Sequence, residues 1–186
     1  GTHIFHTSNE KVWNYINNFT TFNNYRHQVL TSYKNQIYQM PINLETINNF
    51  FKKNFNPREA KFFIKKNTEQ YVKRDYENFE DKALSQIGPK LYNAFIKNYT
   101  EKQWNENPKN LPSSIFNRLP LRFNYDENYF NHCKWQGIPS DGYTSVFKKL
   151  LSNKKISILK DNYNLNNNYD VKYLTIYTGP LDQLFT

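Results

Sequence analysis

Few side chains in this chain can do chemistry unaided, and they fall in short runs. YTEKQW at 99–104 sets Tyr99, Thr100, Lys102 and Trp104 directly after an apolar stretch. Tyr and Trp offer flat faces to a base or sugar, and a Thr hydroxyl donates to phosphate. The same run also reads as a helix end with a buried Trp. Arg118 in NRLP and Arg122 in LPLRF stand beside apolar neighbours. There a planar guanidinium either grips carboxylate or phosphate at two points or is a solvated surface group. Tyr129 in ENYF offers its phenol to a phosphate oxygen, or packs in a core or interface. His3 and His6 are spaced for one helical face. They are either structural or meet an electron-poor ring or a transferred proton. Zinc needs further ligands, and His27 and His132 are remote in sequence, so no metal centre is expected. Cys133 is the only cysteine. It excludes an internal disulfide, fits a reducing cytoplasm and reads as a structural thiol. TGP at 178–180 is a turn of the kind that brings backbone close to a ligand. No GxGxxG, Walker loop, Ser-His-Asp spacing or paired-carboxylate signature occurs.

The elements that must position these residues are legible in the periodicity. Val12, Trp13, Ile16 and Phe19 predict a helix over 8–19, with Thr7 or Ser8 as cap. VLTSY (29–33) and QIYQM (36–40) read as two strands around Lys34-Asn35, ended by Pro41. Residues 43–99 read as almost wholly helical. Asn43 caps one helix, and Asn56-Pro57 opens another. Ala83, Leu84 and Ile87 form an apolar face that stops at Gly88. Leu91, Tyr92, Phe95, Ile96 and Tyr99 then form a stripe. Beyond Leu111, a short helix is expected around Ile115 and Phe116. Strands are expected at 121–125, 156–160 and 173–179, and a helix at 143–151. The fold class is α/β (mixed α+β), with a helical bundle inserted between sheet-bearing ends. The expected division is a sheet region at 1–42, a helical domain at 43–110 and a return to sheet at 111–186.

Composition narrows the class further. The chain has 186 residues, 38% hydrophobic and 18% aromatic, with a formal charge of +9. That aromatic content argues against disorder. No apolar run approaches the roughly 20 residues of a membrane helix. Lysine pairs at Lys52, Lys65, Lys148 and Lys154 are scattered rather than clustered, so nucleic acid is not the expected partner. Only 5 glycines argue against a complete nucleotide-binding domain. The opening GTHIFHT is no signal peptide, and both ends read as cut from a longer chain.

The runs GTHIFHT, PIN (41–43), LYNAFIKNYTEKQW, RLPLRFNYDENYF, QGIP, GYT and IYTGPLDQLF, in that order, resemble the UDP-galactopyranose mutases, bacterial flavoenzymes. SDGYT differs from the family's Gly-Gly-Tyr turn, with Asp141 in place of one glycine. The resemblance covers nearly all of the chain. It implies part of an FAD-dependent Rossmann-like fold. The family's Gly-rich cofactor turn and C-terminal third would lie outside the chain, so the isolated segment is expected to be inactive.

The resemblance further implies interconversion of UDP-galactopyranose and UDP-galactofuranose through an adduct between the reduced flavin N5 and the sugar. A non-catalytic UDP-sugar-binding module of the same fold is the alternative. Tyr99 and Thr100 would serve the uridine and diphosphate pocket, Phe95 and Ile96 the uracil, and Asn43 the nucleotide. Trp104 would lie near the sugar and flavin, while Arg118 and Tyr129 would hold the diphosphate. His6, with His3, would pass beside the isoalloxazine, and Thr178 and Gly179 would line FAD. Arg118, His6 and Trp104 are the expected catalytic residues. A cytoplasmic homodimer, without membrane insertion, is implied.

Overall fold

In a computed structural model, described over residues 3–118, 121–161 and 174–184 (side chains of 117, 118, 183 and 184 excepted), the chain mixes helices with short strands. It forms two compact units, Gly1–Val146 and Phe147–Thr186.

The larger unit is built around a hairpin and a helical block. Strands β2 (Val29–Tyr33) and β3 (Gln36–Met40) pair antiparallel, with Thr31 opposite Tyr38. Lys34 and Asn35 both take positive φ, 49° and 61°, as a two-residue I′ turn requires. One hairpin face presents Tyr33 and Tyr38 to Phe50 and Phe95, with ring centroids 5.0–6.1 Å apart. Ile37 on the strand is 69% exposed.

Helix α2 (Leu44–Phe51) starts where expected, because the Asn43 side chain accepts from Thr46 N at 2.9 Å. Thr46 Oγ1 then donates to Gln39 O at 2.6 Å, which ties the helix to the hairpin. Helix α3 (Pro57–Thr68) opens with a reciprocal cap: Asn56 accepts from Glu59 N, and Glu59 accepts from Asn56 N. Segment α4 (Phe79–Leu91) is interrupted at Gly88, whose φ of 74° and ψ of 167° belong to a region that essentially only glycine enters. A wide π-type turn, Tyr92–Ile96, leads into α5 (Lys97–Trp104). Leu44, Ile47, Ala60, Phe79, Ala83 and Leu91 are fully buried where these elements meet. A short 3-10 helix, Ser113–Arg118, adds Phe116 to this core.

The two chain segments flanking the block meet in a second small sheet. Strand β1 (Phe5–Thr7) pairs antiparallel with β4 (Trp135–Gly137), with His6 opposite Gln136. Helix α1 (Glu10–Ile16) packs its Trp13 on Trp135, with planes 7° apart and centroids at 5.7 Å. Phe5 and Phe22 complete this aromatic cluster. Gly137 is needed there, because a Cβ would lie 2.5 Å from the Asn23 carbonyl oxygen. Helix α6 spans Gly142–Leu150.

Some expectations need correction. The cap of α1 is Asn9, not Thr7 or Ser8, since Asn9 Oδ1 accepts from Val12 N. Residues 121–125 form no strand. They run beside 42–44 through two backbone bonds, Arg122 N to Ile42 O and Leu44 N to Asn124 O, too few for a ladder. In the smaller unit, 156–160 and 174–179 are irregular as well; Tyr173 lies outside the described residues. Their large apolar side chains, such as Leu159 at 82% and Ile176 at 78%, are exposed. The described part of this unit has one short 3-10 helix, Leu181–Leu184. No described helix is long and apolar enough to cross a membrane.

Candidate functional site

A cavity of about 340 Å³ opens between the hairpin and the helical block. Val29, Leu30, Thr31 and Met40 supply its hairpin wall, and Pro41 and Ile42 continue it. Ile87, Phe95, Ile96 and Tyr99 supply the helical wall, and Phe116 and the adjoining His27 and Tyr129 complete the lining. The break at Gly88 and the wide turn after it set the helical wall. Phe95 and Ile96 lie on that turn, and Tyr99 follows one helical turn later.

The lining is mostly apolar, with the Tyr99 and Tyr129 phenols, His27 and Thr31 as polar exceptions. Such a site suits a flat heterocycle joined to a polar group. Tyr99 is 61% exposed, so its hydroxyl end stays in solvent range. Tyr129 is held by its backbone N–H, which donates to His27 O at 2.7 Å.

The loop carrying Tyr129 is organised by Arg122, only 7% exposed. Its guanidinium donates to the carbonyls of Asp126, Asn128 and Tyr129 and to Asn131 Oδ1, at 2.6–3.2 Å. Arg122 is therefore not a solvated group: its donors are spent on the loop, where its guanidinium also lies 3.9 Å from the Asp126 carboxylate. Burial lowers its pKa, against the nearby Asp126 charge. Burial pushes the Asp126 carboxyl up. Hydrogen bonds from Asn131 and the Asn128 backbone, with the Arg122 and Arg26 charges, outweigh this and hold it below its usual value.

The sequence candidates divide by location. Phe95, Ile96, Tyr99 and Tyr129 line the cavity together. Thr100 is buried at 3% exposure, next to Tyr99 but outside the lining. Trp104 ends α5 about half exposed, one turn further on. Asn43 is fully enclosed, and its Nδ2 is a buried donor without an acceptor. The backbone of Arg118 closes the 3-10 helix next to Phe116, and its side chain lies outside the described residues. Thr178 and Gly179 belong to the smaller unit, where a Cβ on Gly179 would run into the Tyr177 ring. The hairpin wall and His27 were missed, because residues that line a cavity and residues that fill a core have the same apolar pattern.

His6 lies apart from the cavity lining, on β1. Its ring stacks on Phe130 at 3.8 Å and 13°, and Phe130 stacks in turn on His27 at 5.7 Å and 23°. His6 Nδ1 is 3.2 Å from Cys133 Sγ. Partial burial and the neighbouring His132 lower the His6 pKa, while burial raises that of the Cys133 thiol. His3 is exposed near the start of the described chain.

A family model described as UDP-galactopyranose mutase matches residues 94–186, the C-terminal half of the chain. All 186 residues align, at 43% identity, with a probable UDP-galactopyranose mutase of Klebsiella pneumoniae, covering 48% of that protein. Over 156 residues, 84% of the chain, identity is 47% to a dTDP-fucopyranose mutase of Escherichia coli, of which 41% is covered. A UDP-galactopyranose mutase of Mycoplasma genitalium is 30% identical along the whole chain, which covers 49% of it. The chain spans about half the length of these curated relatives. It belongs to the UDP-galactopyranose mutase family.

Proposed function

We propose that the protein interconverts UDP-galactopyranose and UDP-galactofuranose in the cytoplasm, and that this chain supplies the nucleotide-sugar side of the site. The observation that carries this reading is the convergence of Phe95, Ile96, Tyr99 and Tyr129 on one apolar cavity. All four lie in the stretch matched by the family model, 94–186. The uracil ring sits against Phe95 and Ile96. The diphosphate extends toward the Tyr99 and Tyr129 phenols, with Thr100 behind them and Arg118 as the cationic clamp. As the anomeric bond breaks, negative charge builds on the departing diphosphate, and these donors stabilise it. Trp104 lies toward the sugar. Asn43 supports the nucleotide by fixing the Pro41–Ile42 wall at the start of α2.

The flat stack of His6, Phe130 and His27 fits one side of an isoalloxazine ring. His6 and His3 would stand beside it; the smaller unit's turn at Thr178 and Gly179, taken by itself, is of the kind that lines FAD in a Rossmann-like fold. Bound there, reduced FAD supplies the nucleophile for the anomeric carbon, with no net redox change. This chain's own residues bind, orient and neutralise.

The test is conversion of UDP-galactofuranose by the purified protein with reduced FAD, together with UDP binding read by fluorescence. Turnover supports the mutase. UDP binding without turnover or flavin uptake favours a binding module instead. A second reading takes dTDP-fucose as substrate. It is motivated by the E. coli relative and by a cavity whose apolar lining would accept the extra methyl of thymine. Comparing kcat/KM for the two sugar nucleotides separates these readings.

A further inference from the structure

We propose that His6, His132 and Cys133 form a site for one zinc-class divalent cation. One ligand atom from each residue lies within 4.8 Å of the other two, although His6 comes from the opposite end of the larger unit's sequence. His6 Nδ1 and Cys133 Sγ are already 3.2 Å apart. Ligands around tetrahedral zinc stand about 3.3–3.6 Å from one another, given metal bonds of about 2.0–2.3 Å. Small side-chain rotations therefore close the triangle. Thiolate with imidazole is a borderline-soft donor set that suits zinc better than magnesium or calcium.

The backbone holds this arrangement without metal. His6 is fixed on β1 opposite Gln136 of β4. Ser8 Oγ donates to His132 O at 3.0 Å and accepts from Lys134 N at 3.1 Å, bracketing Cys133 from both sides. Cys133 N donates to Phe130 O at 2.9 Å. Phe130 covers one face of His6, which leaves the Nδ1 edge directed at the thiol. The Lys134 ammonium sits over the Trp135 ring at 4.3 Å. Three protein ligands leave a fourth position for water or an anionic oxygen, the arrangement of an open zinc site. Binding releases the Cys133 thiol proton to solvent and forms the zinc–sulfur bond. Only the Nδ1 edge of His6 is used, so its opposite face stays available for the flavin-side role proposed above.

The experiment titrates zinc into the purified protein, in flavin-free and flavin-loaded forms, by calorimetry. Cobalt in place of zinc is read by its red d–d absorption. One equivalent binds, with tetrahedral cobalt bands. Zinc also blocks alkylation of Cys133, the 1 cysteine of this chain, read on the peptide that carries it. His132→Asn and Cys133→Ser each weaken binding by more than the roughly 10–100-fold that loss of an outer partner costs. His132 is exposed and Cys133 half-buried, and matched far-ultraviolet spectra confirm that both variants fold. No uptake at stoichiometric zinc overturns the site. So does uptake that survives both substitutions, or alkylation that zinc does not slow.

Discussion

Tyr129 and His27 meet twice: the Tyr129 amide donates to the His27 carbonyl at 2.7 Å, and their rings pack edge-on with centroids 5.7 Å apart. Both line the cavity. Two loops far apart in sequence are thereby fixed to each other, and the phenol proposed to hold a diphosphate takes its position from that join. The other end of the Tyr129 loop is held by Arg122.

Replacing Arg122 tests this dependence. Arg122→Met leaves the carbonyls of Asp126, Asn128 and Tyr129 without their buried donor. The expected loss of stability is about 2–4 kcal/mol, measured by urea unfolding. In surviving folded protein, KM for the sugar nucleotide rises more than kcat falls, because Arg122 positions Tyr129 rather than touching substrate.

Gly137 tests the junction between β4 and the segment after α1. In Gly137→Ala the new Cβ meets the Asn23 carbonyl oxygen at 2.5 Å and Phe22 Cβ at 3.1 Å. The clash involves backbone, which cannot swing aside. Destabilisation of about 1–3 kcal/mol is expected from thermal unfolding.

Tyr92 sets an alkaline limit. It is 2% exposed and donates to Glu80 Oε2 at 2.8 Å. Burial first, then the Glu80 hydrogen bond and charge, push its phenol far above the usual range. Unfolded Tyr ionises near pH ~10. The folded phenol keeps its proton there, so this stability is fully present below that pH and is lost as pH rises above it. Tyr92→Phe should flatten the alkaline arm of the unfolding curve while costing about 1 kcal/mol at neutral pH.

His6 moves the other way. Partial burial, then His132, depress its pKa below the ordinary value. The folded state therefore binds fewer protons than the unfolded one as pH falls through that range, and acid weakens it slightly. In an NMR titration, His132→Asn should raise the His6 midpoint. An unchanged midpoint would mean that burial alone sets it.

What the sequence disclosed depended on how local the cause was. The hairpin, the Asn43 and Asn56 caps and the break at Gly88 each follow from one or two residues acting on adjacent backbone. Alternation at 121–125 suggested a strand, yet it could not say whether a partner strand runs alongside, and it gave no sign that Arg122 is buried. The same limit applies to the apolar alternation at 156–160 and 174–179. The cavity's hairpin wall and the grouping of His6 with His132 and Cys133 arise only when distant segments pair, so no local spacing announces them. The family motifs carried the functional reading where composition could not.

The stacked Trp13 and Trp135 rings have an optical consequence. Two indoles nearly parallel at 5.7 Å couple their electronic transitions, so they form one chiral chromophore rather than two. Trp13 belongs to the first helix and Trp135 to the strand that closes the second sheet, on opposite sides in sequence of the whole helical block. Their paired near-ultraviolet signal therefore exists only while the two flanks are joined. Half-exposed Trp104 stands apart from this pair, as an emission probe at the end of the helix that carries Tyr99. The chain thus carries separate built-in reporters for closure of its flanks and for events near the cavity.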